Sequence, residues 1–284
     1  MTQDHSGRMP WWKKALVWLD KENDRQLSYH SVPAPVSRAV QDNEVWLPAV
    51  LHASGSTHAE KAAQYCQCQF DIRKTGKVEC VTTSAVILRN IVRDELASRQ
   101  GKPPAPREMS TQVFVDRLDA AGLGAWGKRF STSLPVIGGF MHPLLQLPHV
   151  LDMLAREFKD TYGRSFRWEL TSGNTLDDLF DTLNNNRPTL IHGIWSSRVV
   201  NPWTGEIDLD IANLLGGFPH TMPLVSYSAN DVWRFYDLGW RPGQPGNGYY
   251  QMTSEELINF WGRHYPLDSY TKRFSMTTLI LDPE

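Results

Sequence analysis

Residues 77–88 read Lys-Val-Glu-Cys-Val-Thr-Thr-Ser-Ala-Val-Ile-Leu, and Cys80 stands where a turn gives way to an apolar helix. A helix N-terminus stabilises negative charge, so a cysteine at that position has a lowered pKa and more of the reactive thiolate. The stretch therefore predicts a nucleophile at Cys80. The rest of the chain must then supply a base, a group that orients the base, and a donor for the oxyanion.

The composition of the 284-residue chain is that of an ordinary globular protein, with 41% hydrophobic and 21% charged residues. The formal net charge is -2, so no global basic field indicates a nucleic acid or an anionic membrane as partner. No apolar run is long enough to span a bilayer, and the N-terminus lacks the apolar segment of a signal peptide. We expect a cytoplasmic protein by default, with export by a route without a cleaved signal as the alternative.

The pattern along the chain changes from helical to strand-like, which predicts an α+β fold. Residues 1–60 are expected to form an N-terminal arm packed on a main body of residues 61–284. The predicted elements are a strand at Val45–Leu51, helices at Thr83–Arg99, Ser110–Ala121, Val150–Tyr162 and from Asn174 or Thr175 to Asn185, a loop at Ser131–Leu147, a strand at Thr189–Trp195, a hairpin of Thr221–Tyr227 and Val232–Leu238, a helix from Thr253 to about His264, and a final strand at Phe274–Leu281.

Among nine histidines, His220 is the best placed to act as the base. It follows a Gly/Pro-rich segment and stands at the entry to the first strand of the predicted hairpin. In an antiparallel hairpin the start of one strand lies beside the end of the next, so Asp237 can meet His220 and accept from its imidazole. His192, within an apolar strand, is interpreted as a core histidine whose ring nitrogens are satisfied.

Several segments together resemble the bacterial C39-like peptidases, a papain-like family of cysteine peptidases. The segments are Gln69-Phe-Asp71, Cys80-Val-Thr-Thr-Ser84, the turn and strand from Asn184 to Trp195, His220 with Val225-Ser-Tyr227, Val232 to Asp237, and Ser254-Glu-Glu-Leu with Trp261. The resemblance covers roughly residues 65–262. Two segments depart from it: Val81-Thr82 stands where the family usually has Gly-Pro, and Leu238 stands where it usually has Pro.

The resemblance implies a papain-like fold and a cysteine peptidase or amidohydrolase that works through a thioester. Cys80 would be the nucleophile, His220 the base, Asp237 its orienting acid, and Gln69 the oxyanion donor, with Gln67 as the alternative donor. The substrate would be a peptide, a protein or a cell-wall peptide, and no cofactor is implied. Two other functions stay open: an acyltransferase or transamidase using the same thioester, and a papain-like binding module without catalysis.

The three cysteines, Cys66, Cys68 and Cys80, do not fit an ordinary disulfide framework because their number is odd and two are one residue apart. This usage favours a reducing compartment. With a histidine, the three thiols could bind zinc, but the Cys-x-Cys spacing is tighter than usual and no second pair exists. We therefore expect no metal, and zinc is kept as the rival interpretation of these cysteines.

Overall fold

The computed structural model describes residues 44–69, 80–120, 138–195, 218–240, 248–263 and 273–283. The helices in these ranges are α1 (His58–Ala63), α2 (Cys80–Arg99), α3 (Thr111–Ala120), α4 (Gly138–Tyr162), α5 (Leu176–Asn184), α6 (Ser254–Trp261) and a 3-10 helix (Pro48–His52). The strands are β1 (Glu44–Trp46), β2 (Phe166–Thr171), β3 (Thr189–Trp195), β4 (Phe218–Ser228), β5 (Val232–Tyr236), β6 (Tyr249–Met252) and β7 (Ser275–Leu281). The prediction of an α+β fold is confirmed.

The strands form one antiparallel sheet in the order β2-β7-β3-β4-β5-β6. β1 lies outside this order and pairs with residues 226–228 of β4, beyond the part of β4 that pairs with β3. β4 is the longest strand, and it pairs with β3 over its first half and with β1 and β5 over its second half. The predicted β4–β5 hairpin is confirmed, and its turn contains Asp231 at a positive φ of 59°. β4 is therefore the strand to which the other parts of the sheet are joined.

The register between β3 and β4 decides which side chains share a face of the sheet. His192 lies opposite Thr221, and Gly193 lies opposite His220. Side chains alternate between faces along a strand, and directly paired residues point to the same face. His192 and Thr221 therefore share one face, whereas His220 lies with Gly193 on the other.

One face of the sheet is covered by α4. The Phe158 ring of α4 lies 5.4 Å from the Phe166 ring of β2, and Trp168 Nε1 donates to Asp152 at 2.8 Å. Trp168 is paired with Leu279 of β7, so their side chains point to the same face. Thr277, whose hydroxyl lies within hydrogen-bond distance of His192 Nε2, precedes Leu279 by two residues and therefore points to that face as well. The face that α4 covers is therefore the face of His192.

Helix α2 packs on α4 and on β4, so it belongs to the same layer. Arg89 of α2, whose side chain is fully buried, lies 5.7 Å from the centre of the Phe158 ring. The opposite face is covered by α6, whose Phe260 ring lies over Gly193. The described molecule is thus a sheet between a layer that contains α2 and α4 and a layer that contains α6.

The helix expected at Thr83–Arg99 is confirmed, and it begins three residues earlier, at Cys80. Its first five residues, Cys80 to Ser84, are all buried. The helix predicted from Thr253 is also present, and it begins with a capping box in which Glu256 N–H donates to Thr253 Oγ1 at 3.2 Å. Local cap chemistry and the apolar stripe were therefore sufficient to predict these helices.

Two of the predicted elements are wrong. The strand predicted at Val45–Leu51 ends at Trp46, and a 3-10 helix begins at Pro48, because proline fixes φ and suits the first turn of a helix. The loop predicted at Ser131–Leu147 is helical from Gly138 onward. Buried side chains at 147, 151, 154 and 158 continue one helical stripe, and their burial outweighs the two prolines.

Two strands, β2 and β6, have no counterpart among the predicted elements. Both lie at edges of the sheet order and pair with one neighbour only among the described strands. The N-terminal arm was predicted for residues 1–60, of which residues 1–43 lie outside the described ranges. From Glu44 onward this arm joins the body through β1, and the domain boundary at residue 60 stays a prediction.

Candidate active site

Cys80 is the first residue of α2, and only 2% of its surface is exposed. It therefore has the position that the sequence predicted, at the N-terminus of a long and largely buried helix. The first N–H groups of a helix have no partner within the helix and carry a partial positive charge. A thiolate at Cys80 would be stabilised by both effects.

The start of α2 is attached to β4 beside the predicted base. Ser84 Oγ donates to the backbone oxygen of Thr221 at 3.1 Å in a buried hydrogen bond. Ser84 follows Cys80 by one helical turn, about 6 Å of rise, and Thr221 follows His220 directly. The backbone positions of the predicted nucleophile and base are therefore brought close together.

The two glutamines proposed as oxyanion donors differ in how their amides are used. Gln67 Oε1 accepts from Thr111 N–H at 2.8 Å and from Thr111 Oγ1 at 3.0 Å, while its Nε2 donates to Met109 O at 3.0 Å. Gln69 N–H donates to Leu238 O at 2.8 Å, and the side-chain Oε1 of Gln69 is buried without a partner. Gln69 is the glutamine whose amide is still available.

The other two cysteines hold the segment before Gln69 against the end of β5. Cys66 Sγ donates to Asp237 O at 3.4 Å, and Cys68 Sγ donates to Gly239 O at 3.7 Å. Burial, with a further contribution from the Asp237 charge, raises the pKa of Cys66 to about 12. At neutral pH Cys66 is therefore a thiol that packs and donates, and it is a poor nucleophile.

Asp237 directly follows β5, and its carboxylate closes a tight turn. Its Oδ1 accepts from Gly239 N–H at 2.8 Å, and its backbone oxygen accepts from Trp240 N–H at 3.2 Å. Among the described residues, Asp237 and His220 share neither a hydrogen bond nor an ion pair. In this conformation the carboxylate has the local role that aspartate often has in turns.

His220 is almost completely buried, with 6% of its surface exposed, and burial lowers its pKa to about 4. It lies on the face of Gly193, where a Cβ atom would come within 2.4 Å of the Phe260 ring. At neutral pH its imidazole is neutral. By strand alternation it points to the face opposite the layer of α2, so the structure places its backbone near Cys80 without pairing the two side chains.

His192 is a satisfied core histidine, as the sequence suggested. Its Nδ1 and Nε2 lie 3.0 Å and 2.8 Å from the hydroxyl oxygens of Thr221 and Thr277. A neutral imidazole has one donor and one acceptor nitrogen, and each hydroxyl can serve either. Burial lowers the pKa of His192 to about 3, which fits a neutral ring.

Sequence comparison adds nothing to these assignments. Neither the search of protein-family models nor the search of curated proteins finds a match for this chain. The candidate site therefore stands on its own geometry and on the chemistry of its side chains.

Two further searches bear on partners. Of the helices in the described ranges, none combines the length and the apolar character that crossing a bilayer requires. Over the same ranges, no group of three or more His, Cys, Asp or Glu side chains is arranged to hold a metal ion. The zinc interpretation of Cys66, Cys68 and Cys80 thus gains no support from the described residues.

Two residues near the site were not singled out from the sequence: Gly193 and Phe260. A glycine inside an apolar strand is a signal for a close approach, and here the Phe260 ring uses that space. Trp240, which follows the turn at Asp237, has a buried indole nitrogen without a hydrogen-bond partner. No pattern in the sequence identifies such a donor before the fold is known.

Proposed function

We propose that this chain is a papain-like cysteine peptidase or amidase that hydrolyses a peptide or amide bond with Cys80 as the nucleophile. The observation that carries the proposal is the first turn of α2, which is fixed by the Ser84–Thr221 hydrogen bond beside His220. The Gln69 segment, attached to the turn that contains Asp237, supports it further. Substrates are expected to be peptides, proteins or cell-wall peptides.

In the proposed reaction, Cys80 Sγ attacks the carbonyl carbon while the neutral His220 imidazole takes the thiol proton. The Cys80 backbone N–H and Gln69 Nε2 donate to the oxyanion that forms. When the intermediate collapses, the C–N bond breaks and the leaving amine takes the proton from His220. Water then attacks the thioester, its proton passes to His220, and carboxylic acid and free thiol are released.

This mechanism requires His220 and Asp237 to change their present contacts. His220 must come to face Cys80, which requires a change in the β4 backbone at residue 220 because the present pairing with Gly193 fixes its face. The Asp237 carboxylate must leave Gly239 N–H to accept from the imidazole. Hydrogen bonds between reacting groups are often long or absent in enzymes without substrate. We therefore propose that substrate binding brings the base and the acid together.

A binding module with the same fold and no catalysis is the second candidate. It is favoured by two specific observations: the pKa of His220 is lowered to about 4, and the Asp237 carboxylate is used in a turn. Such a protein would hold a peptide at the start of α2 and leave it intact. Wild type and a Cys80→Ala variant would then bind the peptide equally.

The test compares wild type, Cys80→Ala and the control Cys66→Ala on two substrate pools, denatured proteins and purified cell-wall sacculi. Mass spectrometry should find products that require Cys80 and that persist in Cys66→Ala. In parallel, iodoacetamide labelling with peptide mapping should modify Cys80 before Cys66, because burial raises the pKa of the Cys66 thiol. Absence of Cys80-dependent products together with unselective labelling would support the binding module.

A further inference from the structure

Two buried polar atoms near the end of β5 have no hydrogen-bond partner, and their chemistry is complementary. Gln69 Oε1 is an acceptor, and Trp240 Nε1–H is a donor. An unpaired buried donor or acceptor is destabilising, so two of them in residues attached to one turn need an explanation. Their pairing would remove both costs at once.

Both residues are attached to the same turn. Gln69 N–H donates to Leu238 O at 2.8 Å, and Trp240 N–H donates to Asp237 O at 3.2 Å. The turn therefore holds the two backbones on neighbouring carbonyl groups.

The indole of Trp240 also lies beside the segment that carries Gln69. A Cβ atom built on Gly248 would be 3.1 Å from Trp240 Cε3 and 3.5 Å from Cys66 Sγ. The ring and the thiol thus flank one glycine, and Cys66 precedes Gln69 by three residues. These contacts place the indole beside the chain segment that leads to Gln69.

We infer that Trp240 is a positioning residue for the oxyanion donor: its Nε1–H donates to Gln69 Oε1 and thereby directs Gln69 Nε2 toward the substrate carbonyl oxygen. The role in catalysis rests on the proposed function. The Oε1 acceptor and the Nε2 donor of a glutamine are bonded to the same planar carbon, so a hydrogen bond to the oxygen fixes the direction of the N–H groups. Gln67, whose amide is held at both ends, shows how this chain fixes such a group elsewhere.

The kinetic test uses Trp240→Phe, which removes the N–H and keeps an aromatic ring. Its kcat should fall about 10-fold with little change in KM, the size expected for one lost hydrogen bond. Gln69→Leu should lower kcat about 100-fold, as for the loss of an oxyanion donor. The double variant should be no slower than Gln69→Leu, because the indole acts only through the amide.

The matched control is Trp233→Phe, since Trp233 Nε1 donates to Ser254 Oγ at 3.0 Å in a buried bond away from the turn. Its kcat should stay within about twofold of wild type, although its stability falls by about 1 kcal/mol. A double variant of Trp240→Phe and Gln69→Leu in which the two losses multiply to ~1000-fold would overturn the inference.

A second measurement does not depend on turnover. In nitrogen-15 NMR spectra, the indole N–H signal of Trp240 should move and exchange faster with solvent in Gln69→Leu, while that of Trp233 stays in place. An unchanged Trp240 signal would overturn the hydrogen bond. If wild type produces no Cys80-dependent product, both the proposed function and the catalytic role of Trp240 are refuted. The indole signal would then still show whether the hydrogen bond between Trp240 and Gln69 exists.

Discussion

Acid should destabilise this protein well before its carboxylates are protonated, because two histidines are buried in neutral form. A histidine in the unfolded chain takes up its proton near pH 6.5, whereas folded His220 and His192 do so only near pH 4 and pH 3. Between these values the unfolded state binds more protons than the native state. The two histidines therefore leave the free energy of unfolding unreduced above pH 6.5, and they lower it progressively as the pH falls below that value.

The size of the effect follows from the two pKa values. Each histidine costs about 1.4 kcal/mol per pH unit below 6.5, so the two together cost about 4 kcal/mol by pH 5. A typical domain is stable by about 5–15 kcal/mol in total, so this loss is a large fraction. The loss from His220 levels off near pH 4, and that from His192 near pH 3.

The assay is urea unfolding at pH 7, 6 and 5, followed by tryptophan fluorescence, for wild type and His192→Asn. Asparagine does not titrate and can keep a hydrogen bond to Thr221 or Thr277. The variant should start less stable at pH 7, and its difference from wild type should narrow by about 2 kcal/mol at pH 5. His58→Asn, which replaces an exposed histidine of α1, is the control. A wild-type-to-variant difference that stays constant with pH would refute the reasoning for His192.

Three further predictions concern packing in the layers around the sheet. Gly193→Ala should destabilise the protein by about 2–3 kcal/mol in urea unfolding, because its Cβ would meet the Phe260 ring at 2.4 Å, and Phe260→Leu should relieve part of that loss. Gln67→Leu should lower the free energy of unfolding by about 2–4 kcal/mol, because Thr111 and Met109 lose buried hydrogen bonds. The alkylation rate of Cys80 should not change in this variant, and a slower rate would give Gln67 a role in the site. Arg89→Met should lower thermal stability less than Glu108→Ala, since only the latter leaves a buried guanidinium with a single remaining carboxylate, Glu157 at 3.7 Å. The reverse order would contradict this account.

Much of the fold was predictable because local chemistry and tertiary packing agree. The helix that begins at Cys80 has an apolar stripe, the helix after Thr253 has a capping box, and the β4–β5 hairpin has a turn sequence between two apolar runs. Each signal comes from residues close together in the chain. The same agreement led to the α+β prediction before any pairing of strands was known.

The wrong predictions arise where tertiary burial outweighs local preference. Prolines at 143 and 148 indicate a loop, but the chain is helical from Gly138 because the stripe beginning at Leu147 is buried against the rest of the core. β2 was missed although Phe166 and Trp168 alternate with Arg167 and Glu169. Its period was visible in the sequence, but a single short alternation is weak until a partner strand is known.

The candidate site shows a different limit of sequence analysis. The sequence predicts Cys80, Gln69 and His220 as site residues. In the structure, Ser84, one turn after Cys80, donates to Thr221, which follows His220, and Gln69 N–H donates to Leu238 O just after β5. The direction of the His220 side chain could not be predicted, because it depends on the pairing with Gly193. A slip of one residue between β3 and β4 would move every side chain to the other face.

The direction and burial of the His220 side chain distinguish the two candidate functions better than the residue types at the site do. A base must exchange protons with Cys80, so in an enzyme the burial of His220 has to be relieved when substrate binds, and its pKa has to rise from about 4 toward neutrality. In a binding module the Phe260 side stays closed and the imidazole stays neutral. The pKa of His220 with and without bound peptide, measured by NMR in Cys80→Ala, therefore distinguishes them: an upward shift supports the enzyme, and a constant value supports the binding module.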